Sequence, residues 1–206
     1  MYRCVAGSVG GFIQQLAVSY VGRGYFFYVK GRVPPGKDPV RVDEKLVALY
    51  GIDLSKWARA RRKKAGVARM QYLRYGREFV LLATHGRHHF FAREAGRIRQ
   101  VQRNPLIVAG YSIGYQGGAV RVRIERQRYL ELRAYFEEVA TKRSKAVLEC
   151  ELYELPWEPY APVVGQYRSL FRLIGERRQA ANLPPLSSLC VPVQRRKYKP
   201  FMIYDV

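Results

Sequence analysis

The chain has 206 residues, 48% of them hydrophobic and 13% aromatic, which is enough apolar material to bury one substantial core. Its formal charge is +21, from 37 basic and 16 acidic residues, far more than solubility requires and self-repulsive without a counter-charge. No segment nears the roughly 18 to 20 uninterrupted apolar residues of a membrane span, so no membrane association is expected, and the partner predicted is a polyanion, DNA or RNA.

Arginine supplies 27 of the basic residues and lysine 10, a bias that suits bidentate phosphate contact and stacking on bases. Cys4, Cys150 and Cys190 are far apart and odd in number, giving neither a metal pair nor a disulfide framework. A reduced, cytoplasmic setting is expected. At the start, Gln14 and Gln15 interrupt the apolar core that a signal peptide would need.

In chain order, a glycine-rich, weakly patterned beginning leads to GYFFYVKGRV (24–33), dense in aromatic and β-branched residues and closed by Pro34-Pro35-Gly36, which predicts a strand. Asp38 followed by Pro39, then Val42, Leu46, Val47 and Leu49 at helical spacing, then Gly51, predicts a capped amphipathic helix. Ser55 opens a second helix, SKWARARRKKAG, closed by Gly66. Six of its positions from 56 to 64 are Lys or Arg and Trp57 is its one large apolar residue, so it is not a core helix.

From Val67 to Ile124 the pattern predicts strands: VARMQYLRY, EFVLLATH, HHFFARE, PLIVAGYSIGYQ and AVRVRIER, with glycines marking the joints. In the last of these Val120, Val122 and Ile124 alternate with Arg121 and Arg123, giving one cationic face. The remainder is helical, with a break near Ser144, a stop at Pro156, and Tyr167, Leu170, Phe171 and Ile174 on one face of the final helix. The basic and aromatic tail QRRKYKPFMIYDV is expected to pack back onto the sheet or to lie on the ligand. The fold class is therefore α+β, an antiparallel sheet with a helical C-terminal extension. Its basic core is assigned to 1–140 and the extension, packed on that core, to 141–206.

Charge is uneven along this layout: +4 over 1–50, +11 over 51–103 and +6 over 104–206. The peak, RARRKKAGVARMQYLRYGR, interleaves cations with tyrosines, as a single-stranded or structured nucleic acid needs when phosphates are neutralised and unstacked bases find a π-face. The expected contact set is Arg59, Arg61, Arg62, Lys63, Lys64, Arg69, Tyr72, Arg74 and Arg77, joined by Arg121 and Arg123. The plainer alternative is a solvated helix face followed by a hairpin with half-buried tyrosines.

All three histidines lie in FVLLATHGRHHFF (79–91). The spacing gives no ligand set for zinc, and adjacent His88 and His89 on a strand would face opposite ways, so no metal and no cofactor are expected. His85, at the end of the apolar run, is the candidate for general acid/base work on a phosphodiester, or else a turn residue beside phosphate. The apolar run itself predicts a central strand covered on both faces, turning at His85-Gly86 into a second strand.

The order of strand GYFFYVKGRV, helix VDEKLVALYG, strand EFVLLATHG and tyrosine-bearing helix YLELRAYFEEVA resembles that of REP-associated tyrosine transposases and related HUH single-strand nucleases. This similarity spans residues 20 to 140. It implies a ferredoxin-like fold, a mobile-element setting, and a nucleophilic tyrosine matched by position at Tyr129 or Tyr135. The family's His-hydrophobic-His pair has no counterpart: Glu78-Phe79-Val80-Leu81 and His85-Gly86-Arg87-His88 both depart from it, which implies a binding derivative without that metal chemistry. GYSIGYQGGAVRVRIE is also similar to the glycine-rich RNA-contacting region of CRISPR repeat-processing endonucleases, which implies metal-independent RNA cleavage as an alternative.

Overall fold

Strands β1 (Phe27–Arg32), β2 (Met70–Tyr75), β3 (Glu78–Ala83) and β4 (Arg99–Gln100) form an antiparallel sheet in the order β2-β3-β1-β4 in a computed structural model that describes residues 2–194 and 197–201. Helices α2 (Pro39–Leu49) and α3 (Lys56–Lys64) connect β1 to β2, and α4 (His89–Arg93) connects β3 to β4. That sequence of elements and that strand order are the ferredoxin-like split-βαβ arrangement. The protein is α+β, as its composition and periodicity predict.

β3 is the central strand: Val80, Leu81, Leu82 and Ala83 are all buried, because each sheet face is covered. On one face Val29, Met70, Tyr72, Leu81 and Ala83 pack with Tyr50, Ile52 and Phe90. On the other, Tyr28, Leu73, Val80 and Leu82 are buried. There the ring of Phe12 lies 5.9 Å from that of Tyr75, the Tyr28 hydroxyl is 3.1 Å from the carbonyls of Asn104 and Pro105, and Lys30 Nζ donates to the Ile107 carbonyl at 3.2 Å.

Phe12 belongs to α1 (Val9–Gln14), capped by Ser8 and prolonged by π-helical turns over Gln15–Tyr20. The weakly patterned beginning is thus a buried helical segment, and its glycines are there for close packing. A Cβ on Gly10 would fall 2.4 Å from the Tyr198 ring, and Gln14 donates to the Tyr198 carbonyl at 3.1 Å. Ala6 bridges antiparallel to Phe201. The described part of the tail therefore packs back, while Arg195, Arg196 and 202–206 lie outside the described residues.

Two expected strands differ in the structure. HHFFARE is helix α4: the His88 side chain accepts the Phe90 amide proton through Nδ1 at 3.1 Å, so an imidazole acts as N-cap and turns the chain. PLIVAGYSIGYQ is a hairpin, β5 (Leu106–Val108) and β6 (Tyr111–Gln116), because Ala109 and Gly110 both take positive φ (47° and 77°). With β7 (Ala119–Ile124) these make a second sheet in the order β5-β6-β7.

A buried ion pair ties α2 to the sheet. Asp43 accepts from Arg74 Nε at 2.8 Å and from Nη2 at 2.7 Å, and from the Tyr72 hydroxyl at 2.5 Å. Arg74 Nη1 donates to the Gly76 carbonyl at 2.6 Å, so each of the three guanidinium nitrogens of this 6% exposed arginine has an acceptor. The Asp43 hydrogen bonds hold the Arg74 pKa above its ordinary value, and burial, with the bond to Asp43, pushes the Tyr72 hydroxyl far up.

The chain divides into two compact units. The first runs to Ala109 and includes Ile113–Arg121 and the stretch from Lys197; the second comprises Gly110–Ser112 and Val122–Arg196. Helices α5 (Arg126–Val139), α6 (Lys145–Tyr153) and α7 (Ala161–Ala180) make up most of the second, around Ile124, Phe136, Leu148, Leu152, Tyr167, Leu170 and Ile174. Ser144 caps α6, which fixes the break expected there. Arg178, 2% exposed, donates to the carbonyls of Ala140 (3.0 Å), Arg143 (3.1 Å) and Pro184 (2.8 Å), placing a cation at the negative end of α5. Cys4, Cys150 and Cys190 are free thiols. Among the described residues no helix is long and apolar enough to cross a membrane.

Asp43→Ala leaves Arg74 charged and unpaired in the interior, so it should lower unfolding stability by about 3–5 kcal/mol in urea titrations. Asp43→Leu combined with Arg74→Met should recover most of that loss; equal destabilisation by the double variant would show that the pair is not the determinant.

Candidate nucleic-acid interface

Helix α3 starts where Ser55 Oγ accepts the Ala58 amide proton at 3.2 Å and stops where Gly66 turns with φ +68°. None of its side chains is fully buried. Among the described residues, Lys56, Arg59, Arg61, Arg62, Lys63 and Lys64 form no ion pair. Four of them lie in the last turn, where the helix dipole stabilises positive charge without neutralising it. Arg62 alone reaches inward, to the Gly51 carbonyl at 3.4 Å.

The histidine turn is anchored to the end of this helix. Arg87 donates its amide proton to the Gly66 carbonyl at 2.9 Å, Ala68 donates to the Arg87 carbonyl at 3.1 Å, and the Arg87 guanidinium reaches the Ala65 carbonyl at 3.2 Å. Such closeness requires glycine at 86: its φ is +135°, and a Cβ would lie 2.6 Å from the Ala68 nitrogen and 2.8 Å from the Gly66 oxygen. Arg59 and Arg62 also line, with Arg69, a shallow depression floored by Ile52, Leu54 and Met70. The Arg69 guanidinium lies 5.2 Å from the centroid of the Tyr25 ring. Cations distant in sequence are thereby gathered at one end of the sheet.

The three histidines have different surroundings. His85 is exposed, its ring edge-on to Phe27 at 4.7 Å. His88 and His89 stack at 4.3 Å instead of facing opposite ways, because they begin a helix and not a strand. His88 must be unprotonated at Nδ1 to accept from Phe90. Burial, then the charges of His89 and Arg62, lower its pKa below 6.5. His89 Nε2 lies 3.0 Å from the Leu49 carbonyl, which can only accept, so this nitrogen carries a proton; its ring stacks on Tyr50 at 5.6 Å. The Tyr50 hydroxyl, pushed up to about 12 by burial and by its bond to Glu94, donates to Glu94 at 2.5 Å. No group of three His, Cys, Asp or Glu among the described residues could hold a metal ion.

Two of the expected contact residues are not at the surface. Tyr72 and Arg74 are buried with Asp43, because residues at alternate positions of β2 face α2 and not solvent. Arg77 is partly committed: its guanidinium donates to the carbonyls of Val33 (3.0 Å), Pro34 and Lys37 (3.0 Å), closing the loop between β1 and α2. Arg121 and Arg123 are exposed on β7, alternating with buried Val122 and Ile124. Arg87, which the sequence reading left out, joins the site through backbone contacts that no local pattern marks. Arg93, also left out, is exposed on α4.

Tyr129 and Tyr135 are in the second unit, on α5, and His85 is in the first. Tyr129 packs against the second core. Tyr135 is 39% exposed and donates to Glu151 at 3.1 Å; desolvation and the Glu151 carboxylate raise its pKa, the direction opposite to activation as a nucleophile.

No protein-family model matches the chain, and no curated protein matches it.

Because a proton on His88 Nδ1 would break the cap of α4, His88 binds protons less readily folded than unfolded. Its contribution to stability is full above an unfolded pKa of 6.5 and declines as pH falls from there through the lowered folded value. Asparagine caps without titrating. In urea titrations from pH 8 to 5, the stability difference between wild type and His88→Asn should hold steady above pH 7 and shift in favour of the asparagine variant below about 6.5; a difference independent of pH would show that the imidazole does not cap.

Proposed function

We propose that this chain is a nucleic-acid-binding protein that grips phosphates with α3 and the adjoining turn at 84–88. The observation that carries this reading is the set of six α3 cations without an ion pair among the described residues, on a helix that contributes no fully buried side chain. Such a helix is held at some electrostatic cost, which a polyanion removes. Charge is also partitioned between the units: the first has 24 basic against 7 acidic residues, a formal +17, and the second has 13 against 9, a formal +4. Solubility would be served by either sign anywhere; a ligand requires the charge in one place.

Affinity for DNA or RNA should fall steeply with salt, because each neutralised phosphate releases counterions, with a slope of about −0.7 per contact for single strands and −0.9 for duplex. Replacing the exposed Arg59, Arg61, Lys63 and Lys64 with glutamine should flatten that log–log slope by about 3 to 4 and leave the melting temperature nearly unchanged. Affinity flat between low and moderate salt, or a lost fold with unchanged affinity per folded molecule, would count against the reading.

The second reading is a metal-independent phosphodiester-cleaving enzyme. It is favoured by His85, exposed beside α3 and with no hydrogen bond to either ring nitrogen among the described residues. His85→Ala decides between them when binding and cleavage are followed on one gel. Binding alone predicts at most a small loss of affinity and no cleavage by either protein. Retained binding with cleavage reduced by about 100-fold or more would establish general acid/base catalysis.

A further inference from the structure

The geometry points to Trp57 as a stacking platform for an unpaired base, which makes the ligand of α3 a single-stranded or looped nucleic acid; this rests on the proposed phosphate-binding role of the helix. Trp57 is 79% exposed. Leaving an indole in water forgoes stabilisation that burial would supply, and a nine-residue helix has room to turn it inward. It does not turn, since Ser55 fixes the start of the helix and places Trp57 in the first turn with its side chain in solvent.

Helical periodicity sets what surrounds the ring. Arg61 and Lys64, four and seven residues on, share the Trp57 face, about 6 and 10 Å along the axis, and neither has an ion-pair partner among the described residues. An aromatic face followed by cations along one line matches a strand whose base stacks while its neighbouring phosphates are neutralised. In a duplex the base faces are occupied by their neighbours, so the indole finds no partner without unstacking a step.

A lipid surface is the other polyanion that attracts tryptophan and basic residues. An interfacial helix, however, needs a broad apolar face, and beyond Trp57 this helix offers only Ala58 and Ala60. One aromatic ring set among six cations is suited to a base, not to an acyl boundary.

The test uses the full chain with labelled oligo(dT), oligo(U) and a duplex of equal length, read by anisotropy at moderate salt. Trp57→Ala should weaken binding of both single strands by about 5- to 150-fold, the worth of one base–aromatic stack, and duplex binding by less than about twofold. Single strands should quench indole emission in the wild type. In Trp57→Phe, where Trp157 is the remaining indole, that quench should vanish with part of the affinity kept. Equal or absent effects of Trp57→Ala on single strands and duplex, with salt-dependent binding intact, would overturn the stacking role and leave the phosphate-binding reading standing. Failure of the wild type to bind any of the three nucleic acids would overturn both. Phosphatidylserine vesicles that shift Trp57 emission to the blue while oligonucleotides do not would assign the helix to a membrane surface instead.

Discussion

The carboxylate of Asp43, buried against Arg74 and Tyr72, is the contact on which the placement of α2 and of the basic helix that follows it depends. α2 has a modest apolar face, with Asp43 as its single fully buried residue, so hydrophobic burial alone does not fix how it lies on the sheet. A bidentate arginine–carboxylate pair does, since two parallel hydrogen bonds fix direction as well as distance. A buried pair of this kind adds little net stability over an apolar substitute, but it cannot be half-made without leaving a charge stranded. The end of α2 in turn sets Tyr50 and Gly51, against which His89 stacks and Arg62 donates, so the position of the basic helix is linked to an ion pair on the edge strand β2.

Arginine is therefore put to two uses in this chain. Arg74, Arg77 and Arg178 donate inward to a carboxylate or to carbonyls, where a planar, permanently charged donor set satisfies several acceptors at once. Among the described residues the α3 cations have no carboxylate partner, and only Arg62 donates to a carbonyl, that of Gly51. Composition counts both kinds alike, and for that reason a high arginine content by itself overstates the charge left unpaired at the surface. What distinguishes the two is the surroundings: Arg74 on β2, Arg77 in the turn after it and Arg178 on α7 each have acceptors within reach, whereas α3 has no apolar stripe and no fully buried residue.

The readable parts of the sequence were those in which local chemistry and tertiary role coincide. Asp38-Pro39, Ser55 and Gly66 mark helix ends through contacts made within a few residues, and FVLLA is apolar at consecutive positions because its strand is covered on both sides. Tyr72 and Arg74 were misplaced because a partner 29 to 31 residues away decides whether a polar strand residue faces a helix or solvent. HHFFARE carries the aromatic density of a strand, and its helical start depends on an imidazole acting as cap, a role that residue type alone does not announce. The first twenty residues lack visible periodicity because small residues there make room for the returning tail, whose approach is settled 184 residues later.

The histidines show how far a cluster of reactive residue types can be from a reactive cluster. His88 and His89 each use a ring nitrogen on the backbone, one accepting at the start of α4 and the other facing the carbonyl of Leu49 at the end of α2, so together they bind the turn to the helices around it. A base engaged in capping has no lone pair at that nitrogen to offer a substrate. His85 differs because Gly86 takes a backbone conformation that only glycine holds comfortably, and the chain turns before the His85 ring can fold inward. The same turn that docks Arg87 onto the end of α3 leaves His85 at the surface beside it. Among the described residues neither ring nitrogen of His85 is engaged in a hydrogen bond, whereas His88 and His89 each commit one to the backbone.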